Sequence, residues 1–256
     1  MGKTIAIVNQ KGGVGKTTSA VNLAACVGKL GYKTLLVDID PQGNATSGLG
    51  VNKKDVEKST YDMLIGTQSA ESIRIKTEFK CLDLLPANIN LAGAELEISD
   101  LDNREARIKN ALAPLKAEYD YIFLDCPPSL GLITLNALCA VDSVLVPIQC
   151  EYYALEGLSQ LMNTIRQVKR RYNSLIEMEG VLLTMYDGRL NLTQQVVSEV
   201  KKFFPQKVYA TVIPRNVRLS EAPSFGQPVA YYDASSKGAK AYEELAEEFI
   251  RKNGRR

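Results

Sequence analysis

Short apolar runs alternate with helical patterns along most of the chain. The runs have the length and the β-branched content of buried strands, and they lie at 4–8, 33–40, 82–86, 121–125, 143–148, 180–185 and 208–213. Apolar residues at helical spacing predict helices at 20–27, 61–65, 95–117, 155–172, 192–204 and 236–252. Residues 44–80 have the weakest pattern, and loops and short helices are expected there. Strands that alternate with helices predict an α/β fold with a mainly parallel, twisted sheet and helices on both faces.

A glycine-rich segment, NQKGGVGKTT at 9–18, follows the first predicted strand and leads into the first predicted helix. This is the context of a P-loop, in which backbone N–H groups and a helix N-terminus surround phosphate oxygens. We expect Lys16 to reach the β- and γ-phosphates and the Thr17 hydroxyl to bind Mg²⁺. An incidental glycine turn is the alternative. The expected phosphate-binding residues are Gly12, Gly13, Val14, Gly15, Lys16, Thr17 and Thr18.

Carboxylates end two of the other predicted strands, where open α/β sheets bind their ligands. Asp125 closes an apolar run and is placed like a Walker B aspartate, which holds Mg²⁺ directly or through water. Asp38 and Asp40 straddle the end of the second run, and alternation puts both on one face of an ideal strand. We expect Asp38 to support the magnesium site. The alternatives are a turn-capping aspartate at 125 and a solvated acidic turn at 38–40.

Composition narrows the function classes. The chain has 256 residues and a net charge of +2, which gives no sign of a polyanion partner. Histidine is absent and the five cysteines form no C-x-x-C pair, so a Cys/His zinc site and a histidine base are not expected. No signal-peptide pattern and no apolar run of about 20 residues is present. These features predict a single cytoplasmic domain.

The glycine-rich segment departs from the usual P-loop pattern. Gln10 occupies the position of its first glycine, and a second lysine, Lys11, precedes the paired glycines. This arrangement resembles the deviant Walker A loop of the ParA/MinD group of ATPases. The stretches DIDPQG at 38–43, DCPP at 125–128, QCEYYALEG at 149–157 and IPRNVRLSEAP at 213–223 resemble the Soj-type ParA partition ATPases. The resemblance covers nearly the whole chain.

The resemblance implies an ATPase that uses ATP and Mg²⁺. Lys16 already serves the phosphates of its own chain, so Lys11 has no evident need within that chain. The resemblance implies that Lys11 crosses a dimer interface to the partner's phosphates, as an arginine finger does. It also implies that Asp40 positions the attacking water and that Pro214 and Asn216 hold the adenine.

The implied partners are a second copy of the chain, nonspecific double-stranded DNA and a ParB-type protein that stimulates hydrolysis. Arg189 and Arg218 match the basic positions that contact DNA in the family, although solvated surface is the alternative. A basic cluster at 166–171 ends the helix at 155–172, where cations are favourable in any case.

Related functions remain as alternatives. A MinD-type protein binds membrane through a basic amphipathic C-terminal helix, but the polar face expected here contains Glu243, Glu244, Glu247 and Glu248. Such acidity repels anionic lipid, so a helix packed on the core and no membrane contact are expected. That helix would bury Tyr242, Leu245, Ala246, Phe249 and Ile250. A metabolic P-loop ligase is a further alternative. A nitrogenase-type iron protein is disfavoured because Cys126 has no second cysteine in matching context.

Overall fold

The computed structural model describes residues 2–151 and 154–254, and its centre is a seven-stranded sheet. The strand order is β3-β4-β2-β5-β1-β6-β7, and every neighbouring pair is parallel except β3 with β4. The strands are β1 (Lys3–Ile7), β2 (Thr34–Asp38), β3 (Ile75–Lys76), β4 (Leu82–Leu85), β5 (Tyr121–Asp125), β6 (Ser143–Gln149) and β7 (Glu177–Thr184). The expected α/β fold with a mostly parallel sheet is confirmed.

Helices cover both faces of this sheet. They are α1 (Lys16–Lys29), α2 (Asn44–Gly48), α3 (Thr60–Ile65), α4 (Leu91–Ile98), α5 (Arg107–Leu112), α6 (Leu132–Ala140), α7 (Ala154–Arg171), α8 (Asn191–Phe203), α9 (Val217–Glu221), α10 (Val229–Tyr232) and α11 (Lys237–Asn253). Successive residues of β1 enter different cores, because Ile5 and Ile7 belong to one hydrophobic cluster and Ala6 to the other. Alternation along a strand places neighbouring side chains on opposite faces, so both faces are buried.

Two predicted elements differ from the structure. The helix expected over 95–117 is interrupted, because α4 ends at Ile98 and Asn103 adopts a left-handed conformation with φ of 53° before α5 begins. The strand expected at 208–213 is wrong. That segment makes one isolated bridge to β7, between Val208 and Val181.

Glu248 explains the irregular edge. Its carboxylate accepts hydrogen bonds from the backbone N–H groups of Ala210 and Thr211, each at 2.9 Å, so these amides turn away from the sheet. The side chain also pairs with Lys252 at 2.8 Å. Burial acts to raise the pKa of Glu248, but these donors prevail and lower it to about 2. The expectation that Glu248 lies on the polar face of the last helix is therefore wrong, since it is 4% exposed.

The apolar face of α11 packs against the core as expected, except that Ile250 is only partly buried. Tyr242, Leu245, Ala246 and Phe249 are at most 1% exposed and belong to the cluster that includes α1. Within the described ranges, no helix combines the length and the apolar character that crossing a bilayer requires.

Candidate nucleotide and magnesium site

The loop between β1 and α1 has the backbone geometry of an anion cradle. Gly13 and Gly15 have φ angles of +73° and +85°, a conformation that favours glycine. Gly15 caps α1 without a side-chain hydrogen bond, so no side chain competes for the N–H groups of the first turn. Those groups and the positive end of the helix point at the same space, which suits a phosphate. The Thr184 hydroxyl donates to the carbonyl of Val14 at 2.8 Å and fixes the loop from β7.

Lys16 lies inside this cradle. It is 6% exposed, and its Nζ donates to the carbonyl of Lys11 at 3.0 Å, across the loop. Burial lowers the pKa of the Lys16 ammonium, while the carboxylate of Asp125 acts in the opposite direction. A buried cation with a single carbonyl acceptor among the described residues suits an additional anionic partner such as a phosphate.

Asp125 ends β5 directly beside this loop. It is fully buried, and neither carboxylate oxygen has a hydrogen-bond partner within residues 2–151 and 154–254. Burial raises the pKa of Asp125 well above 3.8, and the charge of Asp38 raises it further, whereas Thr17 and Lys16 act in the opposite direction. The Thr17 hydroxyl and the Lys16 ammonium offset only part of this effect, and a buried carboxylate that is incompletely compensated is costly unless a cation accompanies it. The two carboxylate oxygens of Asp125 are therefore suitable ligands for a hard divalent ion such as Mg²⁺.

The protein part of such a site would be small. Within the described ranges, no group of three or more His, Cys, Asp or Glu side chains is arranged to hold a metal ion. Magnesium is commonly held by one or two carboxylates, with phosphate oxygens and water completing the octahedron. Asp125 and Thr17 would supply such a partial set.

Asp38 has a different environment from Asp125, although the two residues are paired in register between β2 and β5. Its Oδ2 accepts from the backbone N–H and the hydroxyl of Thr46, both at 2.8 Å, and its Oδ1 accepts from the N–H of Asp40 at 3.1 Å. Burial raises the pKa of Asp38, and these donors offset part of the rise. Asp38 therefore fixes the start of α2 and adds negative charge next to Asp125.

Asp40 opens the turn that follows. It is 6% exposed, and its Oδ1 accepts from the N–H of Gln42 at 2.9 Å. Its charge contributes to the raised pKa of Asp125, so the structure brings Asp38, Asp40 and Asp125 together with Lys16 in one electrostatic cluster.

Lys11, which has no evident need within its own chain from the sequence, forms an ion pair there. Its Nζ forms an ion pair with Glu151 at 2.5 Å, and the two side chains are 36% and 46% exposed. Glu151 lies in the stretch 149–157, in which Tyr152 and Tyr153 fall outside the described residues.

Asn9 is a further residue that sequence reasoning left without a role. Its Nδ2 donates to the carbonyl of Pro147 at 2.8 Å, and its Oδ1 accepts from the N–H of Lys11 at 3.0 Å. The amide therefore links the end of β6 to the start of the glycine loop. The position of Asn9 between the first strand and the glycines is the sequence feature that could have indicated this role.

Pro214 and Asn216 follow the irregular segment beside β7. Pro214 makes a bridge with Tyr186, and the Asn216 Oδ1 caps α9 by accepting from the N–H of Arg218 at 3.0 Å. Thr184, two residues before Tyr186, approaches Gly15 of the glycine loop. The role of Pro214 and Asn216 in holding the adenine stays a prediction.

The two candidate DNA-binding arginines both face acids. The exposed Arg189 pairs with Asp187 at 2.6 Å, and this contact lowers the pKa of Asp187 to about 2. Arg218 pairs with Glu221 at 2.7 Å and with Asp233 at 3.2 Å. Their positive charge is thus partly neutralised within the subunit.

Comparisons with known proteins identify the family. The family described as "AAA domain" matches residues 2–178. The sporulation initiation inhibitor protein Soj of Bacillus subtilis (strain 168) is 60% identical over 248 residues, which are 97% of this chain and 98% of that protein. This chain belongs to the ParA/Soj family of partition ATPases. The chromosome-partitioning ATPase Soj of Treponema pallidum (strain Nichols) is 50% identical, with all of both chains covered.

A solved relative of this ParA/Soj chain carries a different name. The cobyrinic acid a,c-diamide synthase from Mycobacterium smegmatis, with bound ADP and magnesium, has a TM-score of 0.87 and 38% identity, covering 100% of this chain and 97% of that one. The P-loop fold and the ParA/Soj resemblance expected from the motifs are confirmed by these matches. The identity to the two Soj proteins exceeds the identity to the synthase.

Proposed function

We propose that this ParA/Soj protein is a partition ATPase that binds Mg²⁺-ATP in the glycine loop and hydrolyses it to ADP and phosphate. The observation that carries the proposal is the buried Asp125, whose oxygens have no donor among the described residues, beside a phosphate cradle and the buried Lys16. Relatives named as an ATPase and solved with ADP and magnesium support it. Magnesium, when bound, neutralises charge on the β- and γ-phosphates.

Each residue of the cluster then has a distinct role. Residues 12–18 bind the phosphates, and Lys16 moves its Nζ from the Lys11 carbonyl to phosphate oxygens. Thr17 and Asp125 hold the metal, with Asp38 fixing the adjoining loop. Asp40 orients the water that attacks the γ-phosphorus, and ADP leaves from the opposite side. Pro214 and Asn216 hold the adenine.

ATP joins two subunits in this proposal, and Lys11 of each subunit contacts the nucleotide of the other. Its ion pair with Glu151 must open first. The cost is small, because exposed ion pairs contribute about 0–1 kcal/mol. A cation delivered in trans stabilises the charge that develops on the transferred phosphoryl group, and such groups contribute ~10³–10⁵ in rate.

The dimer holds DNA without sequence preference, through Arg189 and Arg218. A net charge of +2 gives a single subunit little affinity for DNA, whereas pairing doubles the basic residues on one surface. A ParB-type protein stimulates hydrolysis, and the dimer then separates and releases DNA. The chain acts as one domain, in the cytoplasm, on nucleoid DNA.

The similarity to the diamide synthase makes an ATP-dependent ligase the second candidate. The discriminating experiment measures the mass of the protein by light scattering with ATP, with ADP and without nucleotide, each with and without random duplex DNA. Lys16→Ala serves as the nucleotide-binding control. We expect a dimer with ATP alone and a DNA complex only with ATP. A monomer under all conditions, with no phosphate release unless an acid and an amide donor are added, would favour the ligase.

A further inference from the structure

Asn22 connects the nucleotide-binding helix to the segment that carries Arg218. It lies one turn after Thr18 on α1, is 5% exposed and uses both ends of its amide. Its Nδ2 donates to the carbonyl of Thr18 at 2.8 Å, and its Oδ1 accepts from the N–H of Val229 at 2.6 Å. Val229 is fully buried and begins α10, so the start of that helix is fixed to α1.

The contacts continue from Val229 to Arg218. The carbonyl of Val229 accepts from the N–H of Asp233 at 2.8 Å, at the end of α10. The Oδ2 of Asp233 pairs with the Nε of Arg218 at 3.2 Å. A second acid, Glu221, pairs with the Nη1 of Arg218 at 2.7 Å and completes the cage around the guanidinium. An uninterrupted series of polar contacts therefore leads from Thr18 to Arg218.

The segment from α9 to α10 is also held by backbone packing, on a different side from Asn22. Gly50, which follows α2, and Gly226 both have positive φ angles, of 80° and 64°, and their backbones touch. A Cβ on Gly226 would lie 2.6 Å from the Cα of Gly50. The segment from α9 to α10 is thus held by α2 on one side and by Asn22 of α1 on the other.

We propose that Asn22 is a positioning residue that fixes Arg218, through α10 and Asp233, relative to the first turn of the nucleotide-binding helix. The inference rests on the proposed function, because it takes Arg218 as a DNA contact. A phosphate contact requires the guanidinium at a defined place, so loosening the link costs DNA affinity while nucleotide binding and pairing of subunits are retained.

The test compares Asn22→Ala with Ser19→Ala. Ser19 lies on the same helix and is also buried, but its hydroxyl is linked at 3.1 Å to Tyr242 of α11 and not to Val229 of α10. Affinity for random duplex DNA is measured with ATP over a series of salt concentrations, and dimer content is followed by light scattering. We expect Asn22→Ala to weaken binding several-fold. The proposed dimer contains two copies of Arg218, and each lost phosphate contact accounts for ~0.9 in the slope of log affinity against log salt. That slope should therefore become shallower by up to about 1.8. Ser19→Ala should match the unmodified protein, and both variants should form ATP-dependent dimers.

A double variant separates an effect through Arg218 from a general one. Asn22→Ala in an Arg218→Ala background should cause no further loss of DNA affinity. Additive losses, or an equal loss in Ser19→Ala, would overturn the inference. If Arg218→Ala alone lowers affinity but Asn22→Ala does not, only this inference fails. If Arg218→Ala binds DNA normally, the proposed DNA contact fails and the inference with it. Should Asn22→Ala not fold, Asn22→Leu keeps a similar side-chain volume but offers no acceptor to the N–H of Val229, and the same results are expected.

Discussion

Replacing Asp125 with asparagine should make the protein more stable when nucleotide and metal are absent. The carboxylate is fully buried without a hydrogen-bond donor among the described residues, and the substitution removes its charge while keeping its volume. A buried polar group left without a partner costs on the order of 1–3 kcal/mol, and a charged group costs more, so this range is a lower bound for the carboxylate. For a chain of this size, 1 kcal/mol corresponds to about 2–4 °C in Tm. The expected gain is therefore roughly 2–12 °C or more.

The pKa of Asp125 gives the pH dependence of this difference. Burial raises the pKa of Asp125 above 3.8 in the folded protein, whereas the ordinary value of 3.8 applies to the unfolded chain. At pH values between 3.8 and the raised pKa, the folded state therefore binds more protons than the unfolded state. The unmodified protein should lose stability as pH rises through that window, and Asp125→Asn should lose less, because Asp38 is then the remaining carboxyl of the pair with a raised pKa.

Thermal unfolding in EDTA, and then with Mg²⁺-ATP, measures both effects. In EDTA the variant should melt above the unmodified protein, and with Mg²⁺-ATP it should gain less. A variant that melts lower in EDTA, or that gains as much from Mg²⁺-ATP, would refute the assignment of Asp125 to the metal.

Four further substitutions test other parts of the site and fold. Lys16→Ala should lose ATP binding, whereas Asp40→Ala should bind ATP, hydrolyse it poorly and accumulate as dimer; equal loss of ATP binding in a nucleotide-binding assay would contradict the role of Asp40. Lys11→Ala should lose dimerisation and hydrolysis. Mixing it with Lys16→Ala should restore phosphate release, since one intact Lys11 then faces a nucleotide held by an intact Lys16 in the other subunit. Full activity of Lys11→Ala alone would exclude action in trans. Glu248→Gln should lower the free energy of unfolding at pH 7 by about 1–3 kcal/mol. Because the pKa of Glu248 is lowered from 4.5 to about 2, that difference should vanish as pH falls between these values, and a constant difference across an acid titration would contradict the account.

The local features of this fold are predictable from sequence because buried parallel strands are continuous apolar runs. The segment 208–213 has the same composition and yet forms no regular strand. Two of its amides bond to Glu248, a residue 38 positions away from Ala210 along the chain. Helical periodicity places Glu248 among the exposed acids of α11. Periodicity carries no information about backbone amides as distant as those of Ala210 and Thr211.

The candidate site likewise combines features that the sequence predicts with contacts that it does not. The glycine loop and the strand-end aspartates are predictable, because a P-loop is contiguous in sequence and the carboxyl ends of parallel strands meet at one edge. The partners of Lys11 and Asn22 are not predictable, since Glu151 and Val229 lie 140 and 207 positions away from them. Only the folded chain brings these pairs together.

The central claim is that ATP creates the DNA-binding form of the protein, and a salt series on random duplex DNA tests it most directly. The unmodified protein, Arg189→Glu and Arg218→Glu would be compared with ATP, with ADP and without nucleotide, while dimer content is measured in parallel. We expect binding with ATP only, with a logarithm that falls linearly with log salt and a slope reduced by ~0.9 for each phosphate contact removed. Both variants should dimerise normally and bind any duplex more weakly. Tight binding without ATP, or unchanged affinities and slopes in both variants, would contradict the account.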